Sequence, residues 1–176
     1  MAAESPRLQP PNPAAHRQPV FAGGGTGRIY KVSVERCIAC GKCELACAFA
    51  HGSEGTPAAT RINITRRGPE LGTPVVCFQC HEAACAAVCP TNALVRSALT
   101  GAIEHLDARC IGCRMCVAAC PFGNMVWDPT YHTVAKCDLC GGDPKCVPFC
   151  PTGALTYVAC EEAARRPEPL VREAIA

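Results

Sequence analysis

The stretch CPTNALVRSALTGAIEHLDARCIGCRMCVAACP, residues 89–121, contains the end of one cysteine run, a complete second run and the segment that joins them. Within it Ala93-Leu94-Val95 leads through Thr100-Gly101, a turn signal, to Ala102-Ile103-Glu104-His105-Leu106-Asp107, so the joining segment reads as a hairpin of two short strands. Cys110, Cys113, Cys116 and Cys120 then follow with the spacing C-x2-C-x2-C-x3-C, and Pro121 comes next. Outward from here the arrangement recurs three times. Upstream lie Cys77, Cys80, Cys85 and Cys89, followed by Pro90, and before them Cys37, Cys40, Cys43 and Cys47. Downstream lie Cys137, Cys140, Cys146 and Cys150, followed by Pro151. Groups one and three share one spacing; groups two and four lengthen a gap, to C-x2-C-x4-C-x3-C and C-x2-C-x5-C-x3-C.

Composition says that these cysteines organise the fold. Hydrophobic residues amount to 49 % of the 176, yet 28 of them are Ala and 17 are Cys, and Leu, Ile, Val and Phe together number only 34. With 16 Pro and 15 Gly besides, the chain is loop-rich and short of the side chains that fill an ordinary core. Its length suggests one domain or two small ones. Three chemistries use cysteine at this density: disulfides, zinc and iron–sulfur clusters. Disulfide frameworks belong to secreted chains, and residues 1–30 lack the charged start, apolar run and cleavage site of a signal peptide, as well as a twin-arginine signal. No stretch approaches the roughly 18 apolar residues of a membrane span. The chain is therefore expected to be soluble and cytoplasmic, where reduced thiols favour metal ligation. Zinc knuckles use two C-x2-C pairs per ion and have no need of a third closely spaced cysteine or a trailing Cys-Pro. The fourfold run instead fits [4Fe–4S] cubanes. Three thiolates in a tight loop reach three corners of one cubane, and the fourth, on a short helical turn that the proline ends, points elsewhere. No group lacks a cysteine, so four cubanes are expected.

In two-cluster ferredoxins the fourth cysteine of each run ligates the other cluster, so the groups are taken in pairs. Groups two and three share the hairpin. Groups one and four carry the outer strands, Arg28-Ile29-Tyr30-Lys31-Val32-Ser33-Val34 before Cys37 and Ala154-Leu155-Thr156-Tyr157-Val158 after Cys150, which are expected to pair antiparallel. The expected fold class is α+β: two ferredoxin-like [4Fe–4S] units, loop-rich, with short helices and two-stranded hairpins. The second unit (77–120) would be inserted into the first (28–76 and 121–160), between tails at 1–27 and 161–176. One cluster would then rest on Cys37, Cys40, Cys43 and Cys150, and another on Cys137, Cys140, Cys146 and Cys47. The inner two would rest on Cys77, Cys80, Cys85 and Cys120, and on Cys110, Cys113, Cys116 and Cys89. A competing assignment pairs group one with two and three with four.

The four-group order resembles the four-cluster iron–sulfur subunits of oxidoreductases, the family of the dimethyl sulfoxide reductase iron–sulfur subunit. The residues that carry this are Cys37-Ile-Ala-Cys-Gly-Lys-Cys-Glu-Leu-Ala-Cys-Ala-Phe-Ala-His51, Lys136-Cys-Asp-Leu-Cys140 and Cys150-Pro-Thr-Gly-Ala-Leu155. The short form and the histidine ending group one look most similar to the iron–sulfur protein of carbon monoxide dehydrogenase and the small subunit of tungsten aldehyde oxidoreductases. The resemblance covers about residues 28–158. It implies a non-catalytic electron-transfer subunit whose partner is a catalytic oxidoreductase subunit, with a tungsten or molybdenum pterin enzyme acting on aldehydes or formate favoured. Coupling to carbon monoxide dehydrogenase or hydrogenase is the alternative, and a free polyferredoxin belongs to a different class. A flavin or ferredoxin-type protein is a candidate second redox partner, and self-association into a relay array is a further candidate. Two departures are Ala83-Ala84, where many relatives carry Pro-Pro, and the lack of the long insertions and membrane-facing extension of respiratory members.

Outside the ligands little chemistry is legible. Gln9-Pro10-Pro11-Asn12-Pro13 and Gly23-Gly24-Gly25 read as a flexible tail, or as an arm draped over a partner. Residues 161–176 read as a docking tail. Thr60 to Thr65 alternates like a short strand, and Arg66-Arg67 reads as a solvated pair. His51, His81, His105 and His132 are not needed as ligands beside complete cysteine sets. A hydrogen bond to a cluster sulfur fits His51 or His81. Cys160 reads as a buried spare thiol, and Met125 and Trp127 as cover for a cluster. The formal charge of +2 counts thiols as neutral, so the loaded protein is expected to be acidic and nucleic-acid binding has no basis. No nucleotide-binding glycine motif, nucleophile–base pair or open iron position suggests catalysis.

Overall fold

The two ends of the described chain meet as a strand pair. The computed structural model describes residues 27–159 apart from residues 67, 69 and 70, so the expectations for both tails, for Arg67 and for Cys160 lie outside the described residues. Strand β1 (Arg28–Val32) pairs antiparallel with a strand at Leu155–Ala159, with Arg28 opposite Ala159 and Val32 opposite Leu155. Between them the chain runs through helix α1 (Lys42–Ala50), strands β2 (Asn63–Arg66) and β3 (Gly72–Val75), helix α2 (Ala84–Ala87), strands β4 (Leu94–Arg96) and β5 (Ile103–His105), helix α3 (Met115–Ala119), and strands β6 (Met125–Asp128) and β7 (Thr133–Lys136), before β8 (Leu155–Ala159). Among the described residues the strands form four two-stranded antiparallel sheets, β1–β8, β2–β3, β4–β5 and β6–β7. None of the described helices is long and apolar enough to cross a membrane.

Proline placement sets the helix lengths. After Cys47 the next residues are Ala48-Phe49-Ala50 and α1 runs through the cysteine for nine residues. After Cys89 and Cys120 comes proline, which bars a helical continuation, and α2 and α3 span four and five residues. In group four, turns closed by Val147 N to Pro144 O (3.2 Å) and Cys150 N to Val147 O (3.0 Å) replace a helix.

The hairpin foreseen in residues 93–107 is β4–β5, with Arg96 opposite Ile103. The strand foreseen at Thr60 begins only at Asn63, because Thr60 Oγ1 donates to the Ile62 carbonyl (2.6 Å) and accepts from the Ile62 amide (3.3 Å). That local ring competes with the ladder. Its partner β3 opens at Gly72, where a Cβ would stand 2.6 Å from Ile64 Cγ2, so only glycine admits this approach. Arg66 is exposed, and its guanidinium donates to Glu44 Oε2 at 2.6 Å.

Among the described residues three small cores result. Cys37, Cys43, Cys47, Ile62, Ile64, Val76, Cys146, Ala154 and Leu155 form the first. The second joins Leu94, Ile103, Cys116, Met125 and Val134, with Trp127 packed against it. The β6–β7 hairpin thus packs with groups two and three, although it lies beyond residue 120 in the chain. A third core, Ala102, Cys137, Leu139 and Tyr157 with Cys77 and Tyr30 against it, spans the seam between the groups. Asp128, 2 % exposed, pins Ala59 to the β6–β7 hairpin. It accepts from the amides of Ala59 (2.6 Å), Thr130 (2.8 Å) and Tyr131 (3.2 Å).

Candidate metal centres

In each of the four runs the residue before the second cysteine is in the left-handed region: Ala39 (φ 54°), Gln79 (φ 49°), Gly112 (φ 69°) and Leu139 (φ 60°). Only Gly112 announces this in the sequence. Three non-glycine residues hold an unfavourable conformation at equivalent positions, which makes the loop geometry a shared requirement. Such turns gather successive backbone amides into a concave nest suited to an anionic group. In groups one and three a second left-handed residue, Gly41 (φ 75°) or Arg114 (φ 59°), immediately precedes α1 or α3.

The prolines after Cys89, Cys120 and Cys150 make a common turn. Asn92, Gly123 and Gly153 each donate their amide to the carbonyl of the cysteine three residues back, at 3.3 Å. In groups two and four this turn also presents donors to sulfur. Ala93 N lies 3.2 Å and Thr91 Oγ1 3.7 Å from Cys89 Sγ, and Thr152 Oγ1 lies 3.9 Å from Cys150 Sγ. Burial opposes the ionisation of both thiols, but hydrogen bonds from Ala93 and Thr91 to Cys89, and from the Leu155 amide and Thr152 to Cys150, outweigh it and hold both below the ordinary thiol value.

Distant groups converge. Burial pushes the Cys43 thiol up to about 12, and Glu44, Cys146 and Cys150 add to the rise, which places group one's third cysteine beside group four. One pocket is lined by Cys47 of group one together with Cys137, Cys140 and Cys146 of group four, under Tyr30, Ile62 and Val76. Here burial raises Cys137 to about 12 and Cys146 to about 11, and Cys47 stands among the charges that raise Cys140 and Cys146. The Tyr30 hydroxyl lies 3.4 Å from Cys146 Sγ and 3.8 Å from Cys137 Sγ. Burial and these two thiols drive its own ionisation far upward, so it stays a donor. Arg61 donates its amide to Cys47 Sγ at 3.2 Å.

Groups two and three converge in the same way. Burial raises Cys85, Lys136 opposes the rise, and Cys77 and Cys120 add to it. Burial likewise raises Cys116, with Cys89 and Cys113 contributing. The third loop is covered as expected by Met125, 3 % exposed, and by Trp127, whose ring lies 4.1 Å from the Arg114 guanidinium carbon. Arg96 ties the second loop to the hairpin by donating to the carbonyls of Cys80 (2.6 Å), His81 (3.0 Å) and Gly101 (2.7 Å).

Of the histidines, His51 reaches a sulfur: Nε2 lies 3.5 Å from Cys140 Sγ and 3.8 Å from Asp138 Oδ1. Asp138 in turn accepts from Arg61 Nη1 at 2.9 Å. His105 Nδ1 is 4.0 Å from Asp107, and His132 occupies the β6–β7 turn with φ 51°. Three features had no sequence signal: the non-glycine left-handed residues, the Tyr30 hydroxyl over Cys146, and Lys136, 3 % exposed, with Nζ 3.5 Å from Cys77 Sγ. Beside His51 and Cys140 an open groove exposes Leu45, Phe49 and Phe149 between Lys42 and Lys145.

The donor chemistry fits iron–sulfur ligation. Thiols raised to 11 or 12 are neutral at pH 7, so only a strong cationic centre makes them thiolates, and loading releases their protons. Hydroxyl and amide donors already face the sulfurs, as such a centre requires.

Residues 71–160 match the 4Fe-4S dicluster domain and residues 34–50 a 4Fe-4S binding domain. Among curated proteins, the chain is 39 % identical over 120 residues to the polyferredoxin-like subunit of aliphatic sulfonate oxidoreductase from Pyrococcus furiosus, covering 68 % of this chain and 69 % of that one. It is 35 % identical over 156 residues to an electron transport protein of Escherichia coli, covering 74 % and 87 %. It is also 36 % identical over 138 residues to the beta subunit of NADH-dependent phenylglyoxylate dehydrogenase from Aromatoleum evansii, covering 75 % of this chain but spanning only 31 % of that longer relative.

Proposed function

The chain belongs to the 4Fe-4S dicluster domain family, and from that premise we propose that it is the electron-transfer subunit of an oxidoreductase complex, holding four [4Fe–4S] clusters. Two relatives are named as oxidoreductase or dehydrogenase subunits and a third as an electron transport protein. The observation that carries the reading is the pocket that gathers Cys47 of group one with Cys137, Cys140 and Cys146 of group four. It favours pairing one with four over pairing one with two.

The ligand sets proposed are therefore Cys37, Cys40, Cys43 with Cys150; Cys137, Cys140, Cys146 with Cys47; Cys77, Cys80, Cys85 with Cys120; and Cys110, Cys113, Cys116 with Cys89. The β1–β8 pairing around the β4–β5 hairpin supports a second unit inserted into a first, with residues 28–76 and 121–160 outside and 77–120 inside. The packing of β6–β7 against Cys116 and Leu94 extends the inner unit's core into the following segment. A [4Fe–4S] cluster, when bound, accepts and returns one electron at a potential set by its surroundings. The chain does the rest. Tyr30 and the amides of Arg61 and Ala93 donate to ligand sulfurs, while Met125, Trp127, Ile62 and Val76 exclude water.

Neighbouring thiols give the order of a relay. The Cys110 set lies next to the Cys77 set through α2, which carries Cys85 and ends two residues before Cys89. The Cys77 set meets the Cys137 set, since Cys77 is among the charges raising Cys137. The Cys137 set meets the Cys37 set through Cys146 and Cys43. The partner is a catalytic subunit: a tungsten or molybdenum pterin enzyme is favoured and carbon monoxide dehydrogenase or hydrogenase is the alternative, the group-one pattern ending in His51 being similar to both kinds; the free carrier is the second reading, favoured by the electron transport relative.

Iron and sulfide analysis of anoxically purified protein tests the reading, with about sixteen iron per chain expected from four cubanes. About eight iron, or stoichiometric zinc, refutes it. Substituting Cys150→Ala should remove the redox signal of the cluster on Cys37, Cys40 and Cys43 and spare that on Cys110, Cys113 and Cys116. Loss of the latter would favour the competing pairing, in which group four exchanges its fourth cysteine with group three. A catalytic subunit that co-purifies from the native host excludes the free carrier.

A further inference from the structure

We propose that Lys136 is the buried cation that sets the potentials of two neighbouring clusters at the middle step of the relay, those on the Cys77 and Cys137 sets; this rests on the ligand sets above. Lys136 is 3 % exposed. Its Nζ donates to the Cys137 carbonyl at 2.7 Å and to Gln79 Oε1 at 3.0 Å, and lies 3.5 Å from Cys77 Sγ. Gln79 donates in turn to the same Cys137 carbonyl at 2.8 Å and accepts from the Ile103 amide at 2.9 Å. One ammonium thus touches the first cysteine of group two and the backbone of the first cysteine of group four.

The uncompensated charge is what points to function. Lysine is almost never fully buried unless paired with an opposite charge. Among the described residues the ion pairs join His51 and Arg61 to Asp138, Arg66 to Glu44, His105 to Asp107 and Lys145 to Asp143, and none involves Lys136. Its near partners are two neutral oxygens and a thiol. A thiolate-ligated cluster on each side supplies the missing negative charge. The direction of the effect follows from Coulomb's law. Reduction adds one electron to a site that is already negative, with no bond formed or broken. A cation a few ångströms away in a poorly screened interior stabilises the reduced form more than the oxidised form. Lys136 therefore raises both flanking potentials. The Cys110 and Cys37 sets stand one step further out and should feel it weakly.

The test is a spectroelectrochemical titration of holoprotein with iron content verified. In Lys136→Gln, two of the four potentials should fall, each by about tenfold in the reduction equilibrium or about 59 mV for one electron, and the other two should move by less than a third of that. Lys136→Arg, which keeps the charge, should restore both. Gln79→Glu places a carboxylate on the ammonium and should lower the same two potentials if Lys136→Gln fails to load iron. Potentials that all stay, or all shift equally, in a fully loaded variant overturn the inference. So does a result in which only Lys136→Arg loads iron, because the cation is then an assembly requirement. Wild-type protein with fewer than sixteen iron overturns the cluster reading instead, so the two failures are distinguishable.

Discussion

Cys89-Pro-Thr-Asn-Ala-Leu94 and Cys150-Pro-Thr-Gly-Ala-Leu155 are the same turn built twice and closed in two different ways. Both bond the amide of the fourth residue back to the cysteine carbonyl at 3.3 Å, and both set a threonine hydroxyl near the thiol, at 3.7 and 3.9 Å. Both bury their alanine at 1 % exposure and their leucine at 5 % and 1 %. The inner copy runs into β4, which pairs with β5 only a few residues on. The outer copy runs into β8, which pairs with β1 from the opposite end of the described chain. A local motif can thus be fixed by six residues while its closure is decided elsewhere. Cysteine burial differs between the two regions as well. Cys37, Cys43, Cys47, Cys137 and Cys146 are buried in groups one and four, whereas Cys116 alone is buried in groups two and three.

The largest effect expected is that of iron removal. Neither region has the apolar mass to fold on side chains alone, so the apo chain should be largely unfolded. Far-ultraviolet circular dichroism and a denaturant titration after anoxic chelation check this; cooperative unfolding in the iron-free chain would break the claim for both halves. Partial loading would sharpen the comparison. The hairpin of the inner region closes over short loops and the outer strands over a long one, so the inner pair of clusters should assemble first.

Next in size are the two leucines. Leu155→Ala and Leu94→Ala each delete a core side chain, at a cost of about 2–5 kcal/mol. Leu155 lies in the core that also holds Cys37, Cys43 and Cys146, so its loss should shorten the thermal lifetime of the clusters on groups one and four selectively. Leu94 should do so for groups two and three. Bleaching of both regions at one rate in either variant would show that the two cores melt as a single unit.

Asp128 sits where the regions join. Burial opposes ionisation of its carboxyl, but the amides of Ala59, Tyr131 and Thr130 outweigh this and hold it below its ordinary value of 3.8. A depressed folded value means that the stabilisation is present above the unfolded value and is lost as pH falls through the folded one. Asp128→Asn should therefore cost about 1–3 kcal/mol at pH 7, by an amount that is constant from pH 8 to 5 and narrows below pH 4. Thermal midpoints of the holoprotein across that range check it, and an unchanged midpoint at pH 7 would remove Asp128 as the tie.

What was legible in the sequence follows the local signals beside each element rather than the range of its contacts. The β4–β5 hairpin and the outer strand pair could be read because turn residues and alternation stand beside them. The β6–β7 hairpin could not: its turn depends on Asp128 capping Thr130 and Tyr131 and on His132 at φ 51°, with no Gly-containing signal. The sixteen cysteines were legible from spacing, but the left-handed Ala39, Gln79 and Leu139 were not, because nothing in their side chains asks for that conformation. In the sequence Lys136 is only the residue that precedes a cysteine run. Its importance comes from burial without a carboxylate, which no local pattern encodes.

The smallest effect returns to the paired turns, at the one position where their sequences differ within the motif. Asn92 and Gly153 both occupy the left-handed region, with φ 51° and 62°. Glycine adopts it freely and asparagine better than most. A Cβ at Gly153 would meet nothing closer than Arg36 Nη1 at 3.7 Å, so Gly153→Ala carries no steric clash and tests conformation alone. It should cost about 1 kcal/mol. Asn92→Gly should change stability by only a few tenths of a kcal/mol, because relief of strain is offset by the greater freedom of the unfolded chain. Thermal midpoints at a fixed scan rate, followed by cluster absorbance, should fall by roughly 2–4 °C for Gly153→Ala and stay nearly level for Asn92→Gly. If Gly153→Ala is neutral while Asn92→Ala is costly, the inner turn is the strained one of the two, and the asparagine side chain, rather than the shared Cys-Pro-Thr frame, holds it in place.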